Sequence, residues 1–543
     1  MLEQRTTRTT EQGVVTKILV MKVRILKGIK FRSKKATNNI RFKLHVIKAD
    51  VRNLFSSRKP RVTIFGSCRQ DSIYDHFRVT NIRNGLTYPH YSKEVIQAIN
   101  YCKNIDFVVP PIVFRNTQIF TKLATRRSLR RSFEKTDIFV VEIASMLEYK
   151  YDGFYLHHEI YDNPTIHKKF PNFDIAAVDR TEQDISELKS DLSTIVELLS
   201  GKQVIFACHF NTRDIGRRAQ LESIILDFCK QRNIKVFVPK ELLEFYREKD
   251  LFIEEEVLSH FSEFGHRIAG YRFRELIEIV TLNKYPAIPP LVQKLEKPPS
   301  GLEGYTSGFG DFLNGALKTY EIARQLHRVP LVDLGSSLMN GHLLNRFDSR
   351  ALGDTRHVFH ESPDLTFTQS TVVFTNKVPI EELNEEGRDF IFRNCLSQHK
   401  AQSEELTRVL EELGLTRGDY EVIHVRVDDK FDANPNETVL FEISEILNQL
   451  KIGNSRRVLM LSNSNNVRAH FSSLGIESPS AYVQHSADPE ATDSSISNML
   501  TEFFILGYSR HIYQLSTNEW GSGFSSLAAK LFDVSITKVK LST

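Results

Sequence analysis

Short, almost continuously apolar segments alternate with amphipathic ones in the first half of the chain, and this alternation most constrains its fold. The apolar segments have the length of strands and are rich in β-branched residues; they lie at 61–70, 137–145, 203–211 and 234–239. Helical periodicity separates them, as at 184–199 and 217–230. Strands without polar alternation are buried on both faces, so the sequence predicts an α/β fold whose parallel sheet is covered by helices on both sides.

A proline-rich segment divides the chain. Residues 283–301 contain five prolines, which remove hydrogen-bond donors and disfavour helix in the residues before them. We therefore predict a semi-extended linker there. It would separate an α/β domain at 61–282 from a second domain at 302–543, and residues 1–60 would form a basic leader.

The leader carries most of the positive charge. Residues 1–61 hold 17 Lys and Arg against 3 Asp and Glu, whereas the whole chain has a formal net charge of only +5. The remainder is acidic, so no nucleic-acid partner is expected. Residues 13–35 interleave apolar side chains with lysines; they are too interrupted for a transmembrane helix and lack a signal-peptide cleavage site. They predict either a solvated, poorly ordered leader or peripheral contact with an anionic membrane surface.

The five cysteines are scattered and form no Cys-x-x-Cys pair. This spacing supports neither a zinc site nor a disulfide framework, so we expect no metal and a reducing, cytoplasmic compartment.

In the second half of the chain, the segment Tyr420–Lys430 begins with the pattern of a buried strand and ends in a cluster of charged residues. Val422, Ile423 and Val425 are β-branched, and Arg426 follows them. An arginine at the carboxyl end of a buried strand lies where α/β sheets bind ligands. Its planar fork suits a phosphate or diphosphate, so the segment predicts an anion-binding site.

The same segment resembles the His-x-Arg-Arg-Gly-Asp-Lys strand end of GT-B fucosyltransferases, which include the protein O-fucosyltransferases and the nodulation α-1,6-fucosyltransferases. Val427 and Asp428 depart from the motif. The resemblance implies that Arg426 holds the diphosphate of a GDP-sugar. Asp428 and Asp429 are candidates for a catalytic base, with bracing of the loop as the alternative role of Asp429. The matching residues are His424, Arg426, Asp429 and Lys430.

Three further segments resemble the same family, in the same order along 304–532. Gly308 and Gly310 lie at a helix start and allow close backbone approach. Asn463 stands where the family has an acid that helps to hold the nucleoside. The last segment contains Ser522, Gly523, Phe524 and Ser525. It would begin a helix and offer hydrogen-bond donors to the diphosphate, or its serines would serve as simple N-caps.

Three features of the first half resemble the SGNH/GDSL hydrolases: Phe65-Gly66-Ser67-Cys68, His209-Phe210-Asn211, and the segment 260–266. They imply a nucleophile at Cys68 or Ser67, an oxyanion donor in Asn211 and a base in His260. The family's Asp is absent before His260, where Glu255 or Glu256 would have to replace it. A plain buried cysteine is the alternative for Cys68.

Three other histidines, His90 and the pair His157 and His158, receive no role, because such histidines are more often structural or solvated than ligands.

Together these features predict a flavodoxin-like, SGNH-like three-layer domain followed by a GT-B-like Rossmann-type domain. The expected activity is inverting transfer of a sugar, fucose by resemblance, from a GDP-sugar to a glycan or polysaccharide acceptor. No metal and no tightly bound cofactor are expected. The alternatives are an SGNH-type acyl esterase or acyltransferase acting on glycans, and a non-catalytic glycan-assembly scaffold.

Overall fold

A computed structural model describes residues 60–80, 82, 88–104, 106–110, 125–164, 173–211, 216–253, 260–282, 290–295, 308–326, 328–335, 337–352, 356–359, 371–374, 383–428, 431, 436–449, 457–479, 491–519 and 521–542. The chain forms two compact units. The N-terminal unit holds the residues up to Glu241 together with Glu248–Leu276, and the C-terminal unit holds Leu242–Arg247 and the residues from Ile277 onward.

The N-terminal unit alternates strands and helices. Its strands are β1 (Arg61–Phe65), β2 (Arg78–Val79), β3 (Ile138–Ile143), β4 (Leu147–Tyr151), β5 (Phe154–Tyr155), β6 (Asp179–Glu182), β7 (Gln203–Cys208) and β8 (Lys235–Phe237). Its helices are α1 (Ser92–Lys103), α2 (Arg126–Glu134), α3 (Glu159–Asp162), α4 (Ile185–Leu198), α5 (Gly216–Gln231), α6 (Glu248–Leu251) and α7 (Glu263–Thr281), the last of which ends beyond the boundary of the unit.

Five of these strands form the predicted parallel sheet, in the order β2-β1-β3-β7-β8. Numbered within the sheet, the order is 2-1-3-4-5, which is that of flavodoxin-like sheets. One face packs against apolar side chains of α1, α2, α4 and α5. On the other face, Phe237 of β8 contacts Phe273 of α7, with ring centroids 4.3 Å apart. The sheet is therefore covered on both sides, and a small antiparallel sheet, β5-β4-β6, is added to it.

The C-terminal unit continues the alternation. Its strands are β9 (Leu291–Lys294), β10 (Pro330–Asp333), β11 (Arg356–Phe359), β12 (Thr371–Phe374), β13 (Tyr420–Arg426), β14 (Arg457–Ser462), β15 (His511–Ser516) and β16 (Ser535–Lys540). Its helices are α8 (Phe309–Gln325), α9 (Glu385–Ile391), α10 (Lys400–Glu412), α11 (Glu437–Gln449), α12 (Asn465–Ser473), α13 (Asp493–Tyr508) and α14 (Gly523–Phe532).

Two parallel sheets result, with the orders β10-β9-β12-β11 and β14-β13-β15-β16. In the second sheet β13 is an inner strand, as its apolar run predicts. Val422 packs in one core cluster, whereas Ile423 and Val425 pack in another. Because both faces of β13 are buried, Arg426 emerges from the sheet only where the strand ends.

The linker prediction is wrong for Leu291–Lys294. These residues form β9, which pairs in parallel with β10 and β12. Leu291 and Val292 are buried, and the Gln293 side chain accepts a hydrogen bond from the Thr319 hydroxyl (3.0 Å). The prolines that suggested a tether lie outside this run, so they remove no donor from the ladder.

The amphipathic pattern at 387–413 suggests one long helix, but the structure divides it. A π-helical turn, Phe392–Leu396, follows α9, and the chain is then extended before α10. Here Leu344 N–H donates to Ser397 O (2.8 Å) and His399 N–H to His342 O (2.7 Å). These tertiary hydrogen bonds replace those of a continuous helix.

The basic leader lies outside the described residues, and so do both expectations for residues 13–35. Within the described part of the chain, no helix combines the length and apolarity that a membrane span requires.

Candidate functional site

The carboxyl edge of the β14-β13-β15-β16 sheet contains a topological switch point. β13 leads to β14 on one side, whereas β15 leads to β16 on the other. Doubly wound sheets bind ligands in the crevice that such a reversal leaves between two strand ends. Arg426 is the last residue of β13 and lies opposite Ser516 of β15. Its carbonyl accepts a hydrogen bond from Thr517 N–H (3.2 Å), so the half-buried Arg426 stands at this crevice.

His424, two residues earlier on the same strand, is buried and neutral. Burial, followed by the positive charges of Arg426 and Arg468, lowers the pKa of His424 to about 3. Its ring lies 6.0 Å from the ring of Phe524 at the start of α14. Arg426, rather than His424, therefore supplies positive charge at this strand end.

Helix α14 begins beside the same strand ends. Its N-cap Ser522 makes no side-chain capping hydrogen bond, and Gly523 is exposed. The first N–H groups of α14 are thus not capped by Ser522 and favour an anion. Ser525 differs from the expectation, because it is fully buried and its Oγ accepts a hydrogen bond from Gln514 Nε2 (2.7 Å). As placed here, Ser525 supports the helix start.

The turn before α14 requires a glycine. Gly521 has φ +77°, and a Cβ on it would overlap the amide oxygen of Gln514. Gln514 Nε2 also donates to Ser522 O (2.9 Å). Gly521 and Gln514 together fix where α14 starts.

The first turn of α8 lies against the first turn of α14. Gly308 is the N-cap of α8, and a Cβ on Gly310 would lie 3.4 Å from Phe524 N. Two helix N-termini therefore approach each other closely at Gly310 and Gly523. Phe312, two residues further along α8, is buried in the core.

Asn463 follows β14 and binds the backbone after β13. Its Oδ1 accepts a hydrogen bond from Val427 N–H (3.0 Å), and its Nδ2 donates to Val427 O (3.1 Å). This double contact links the ends of β13 and β14 and braces the loop after Arg426. Asp428 is exposed in that loop, and Asp429 and Lys430 lie outside the described residues.

The N-terminal unit has a corresponding switch point between β1 and β3. A buried carboxylate, Glu142 of β3, occupies it. Its Oε2 accepts a hydrogen bond from Ser67 N–H (2.6 Å), and its Oε1 lies 2.9 Å from His209 Nδ1. A Cβ on Gly66 would lie 2.5 Å from Glu142 Cβ, so only glycine permits this approach.

Glu142 and His209 form a polarised pair. Burial would raise the pKa of Glu142, but the hydrogen bond from His209, the positive charge of Arg69 and the hydrogen bond from Ser67 outweigh burial and hold this pKa at about 2. Burial lowers the pKa of His209 despite the carboxylate. His209 is thus neutral near pH 7, and we assign its proton to Nδ1, which donates to Glu142. Nε2 then keeps a lone pair, as in a histidine base oriented by a carboxylate.

The predicted hydrolase residues are only partly brought to this edge. Ser67 is buried at the end of β1, Cys68 is half-buried and begins a 3₁₀ turn, and Asn211 is buried just after β7. His260 is exposed beside the bridge between Phe252 and Phe261.

Glu142 was missed because it lies in the apolar run 137–145, although a charged residue inside a buried strand is itself a signal.

A cavity of about 400 Å³ opens at this edge, lined in part by Arg69, His90, His158 and His209. The three histidines left without a role meet here, because ligand atoms of His90, His157 and His158 lie within 4.8 Å of one another. Burial lowers the pKa of all three, although the nearby carboxylates of Glu159 and Asp162 oppose this shift at His158. Three histidines at this spacing could hold a metal ion. However, His157 Nδ1 accepts a hydrogen bond from Glu159 N–H (3.2 Å), so the proton of neutral His157 lies on Nε2. In this tautomer His157 is a donor, not a ligand.

No protein-family model and no curated protein matches the chain. Among solved structures, the fucosyltransferase NodZ from Bradyrhizobium matches at 16% identity and TM-score 0.32, over 45% of this chain and 93% of that one. POFUT1 in complex with GDP matches at 11% identity and TM-score 0.19, over 32% and 56% of the two chains. UDP-N-acetylglucosamine 2-epimerase from Rickettsia bellii matches at 9% identity and TM-score 0.18, over 89% and 80%. TM-scores this low do not establish a shared fold.

Proposed function

We propose that the C-terminal unit is a glycosyltransferase that binds a nucleoside-diphosphate sugar at the end of β13. The observation that carries this proposal is convergence in space. Four segments, around Gly310, Arg426, Asn463 and Gly523, are spread over more than 200 residues of sequence and yet reach the carboxyl edge of one sheet. The donor we propose is GDP-fucose, which the sequence resemblance implies, and the acceptor is a glycan.

In the proposed reaction, an acceptor hydroxyl attacks the anomeric carbon as its bond to the diphosphate breaks, which inverts that carbon. Negative charge then grows on the leaving diphosphate. Arg426 and the N–H groups of α14 would stabilise it without a metal ion. Asn463 would reach the nucleoside only with the hydrogen-bonding capacity left after its bonds to Val427. Asp428 and Asp429 are the proposed candidates for the base that takes the hydroxyl proton.

The Arg426→Ala variant tests the donor site. We expect GDP and GDP-fucose, but not UDP or CMP, to raise the melting temperature of the wild-type protein. A ligand at 100 times its Kd stabilises a protein by about 2.7 kcal/mol. Charge-assisted hydrogen bonds contribute about 1.5–3 kcal/mol, so Arg426→Ala should weaken GDP binding at least about tenfold. Thermal-shift titration measures both effects.

Arg510→Ala is the matched control, because Arg510 is exposed and its N–H donates to Tyr420 O at the opposite, amino end of the sheet. It should bind GDP like the wild type. Equal loss in both variants, or no nucleotide-dependent shift at all, would refute the proposal.

A second candidate function is acyl transfer or ester hydrolysis on glycans in the N-terminal unit. It is favoured by the Glu142–His209 pair beside Ser67, with His209 rather than His260 as the proposed base. An acyl-ester probe should be consumed by the wild type, and Ser67→Ala or Cys68→Ala should abolish this, depending on the nucleophile. Turnover unchanged in both variants would exclude it. Peripheral membrane contact through residues 13–35 is a separate proposal.

A further inference from the structure

The cavity of the N-terminal unit collects positive charge beside the Glu142–His209 pair. Four arginines line it: Arg69, Arg180, Arg217 and Arg218. Two of them are compensated. Arg217 Nη2 lies 2.7 Å from Glu182 Oε2, and Arg180 interacts with Asp162 and Tyr149. Asp162, which also lines the cavity, accepts a hydrogen bond from the Tyr149 hydroxyl (2.9 Å).

The other two arginines, Arg69 and Arg218, are not compensated in this way. Neither has a carboxylate within salt-bridge distance among the described residues. Arg69 donates to Ser67 Oγ over a long 3.4 Å. After burial, its positive charge contributes to lowering the pKa of Arg218 and of His209. Glu142 is hydrogen-bonded to Ser67 and His209, and the positive charge of Arg69 also helps to lower the pKa of Glu142. One carboxylate therefore faces two guanidinium groups, and the excess of positive charge costs stability unless an anion binds between them.

Two polar atoms at the cavity wall reinforce this charge argument. In the part of the chain that the structure describes, Arg69 Nε and His158 Nδ1 are buried without a hydrogen-bond partner. Buried polar atoms are nearly always satisfied, by protein or by a bound molecule. Both residues line the same cavity, which at about 400 Å³ is large enough for a small ligand.

We propose that this cavity binds a phosphate-type oxyanion of a small molecule through Arg69 and Arg218. A guanidinium group presents two parallel donors that match adjacent phosphate oxygens, which makes arginine suited to this ligand. The site lies in the other unit from Arg426. It is therefore independent of the proposed donor site, and it would place a phosphorylated substrate beside His209 Nε2.

The test uses the full chain carrying Arg426→Ala, so that the donor site of the C-terminal unit does not contribute. Inorganic phosphate and pyrophosphate are titrated by calorimetry, with acetate at equal ionic strength as the carboxylate probe. Arg69→Gln and Arg218→Gln should each weaken pyrophosphate binding by about 10- to 100-fold. Arg69→Lys keeps the charge but loses the fork, and it should bind with intermediate affinity. Arg130→Gln is the matched control, because Arg130 is exposed and already paired with Glu134 (3.0 Å).

The melting temperature of the ligand-free variants separates binding from a structural role. Removing one of two mutually repelling cations should leave this temperature unchanged or raise it, while binding is lost. If Arg69→Gln does not fold, Arg218→Gln carries the test alone, because Arg218 is an exposed residue of α5. The proposal is overturned if no oxyanion binds, if acetate binds as well as phosphate, or if Arg130→Gln weakens binding as much as Arg218→Gln.

Discussion

Replacing Glu502 by glutamine is expected to lower the free energy of unfolding of the C-terminal unit by about 3–5 kcal/mol, because it leaves a buried arginine without its counterion. Arg468 of α12 and Glu502 of α13 are 3% and 4% exposed and form a double hydrogen bond of 2.8 and 2.9 Å. Arg468 Nε also donates a hydrogen bond to the carbonyl oxygen of Ser462, the last residue of β14 (2.8 Å). Urea denaturation measures the loss.

The pair also holds the strand end from which Asn463 reaches the loop after Arg426. Nucleotide affinity should therefore fall with stability in Glu502→Gln. Arg468→Met combined with Glu502→Leu should lose less stability, because no unpaired charge remains. Glu405→Gln, at an exposed pair with Arg408, is the control and should change little. A loss in Glu502→Gln no larger than in this control would show that the pair does not secure the strand end.

Glu142→Gln is expected to destabilise the N-terminal unit by about 3 kcal/mol at pH 7, because the amide resembles the protonated acid that the fold disfavours. The folded-state pKa of Glu142 is about 2, against an ordinary value of 4.5. The stability supplied by the ionised carboxylate is therefore complete above pH 4.5 and is lost as the pH falls toward 2. Denaturation of the wild type and the variant, repeated at pH 7 and pH 4, should show the difference between them shrinking in acid.

Glu94, in the same unit, provides a control because its pKa is shifted in the opposite direction. It is buried in α1 and accepts a hydrogen bond from His90 N–H (2.8 Å), but burial raises the pKa of Glu94 well above 4.5. A neutral amide suits that site, so Glu94→Gln should leave stability at pH 7 unchanged or increase it. If Glu142→Gln behaved in the same way, Glu142 would not be held ionised by His209 and Ser67.

Apolar runs with β-branched residues correctly predict β1, β3, β7 and β13, because a strand that is buried on both faces needs apolar residues at nearly every position. Two elements escaped this approach. β9 is four residues long and flanked by prolines, so local composition outweighed its apolar residues. The break between α9 and α10 depends on pairing with residues 342–344, which no local pattern encodes.

Arg426 was placed correctly at a strand end, because sequence adjacency to a buried strand is enough to position it. The Glu142 pair was not found, since Ser67 and His209 lie 75 and 67 residues from it along the chain. The cluster of His90, His157 and His158 is unpredictable from sequence for the same reason, because only the fold brings the segment of His90 next to that of the other two histidines. Ser525 has the right sequence context for a ligand contact, yet its side chain points to Gln514.

The position of β9 determines where this protein can be divided. A fragment that begins at residue 302, after the prolines, would lack an inner strand and leave one edge each of β10 and β12 unpaired. Unpaired edges recruit strands from other molecules, so such a fragment is prone to aggregate. It would also lack Phe245, whose ring stacks on Phe392 with centroids 4.6 Å apart. The halves of this chain are thus interleaved in sequence, and the C-terminal unit can form intact only when residues from both sides of the proline-rich segment are present.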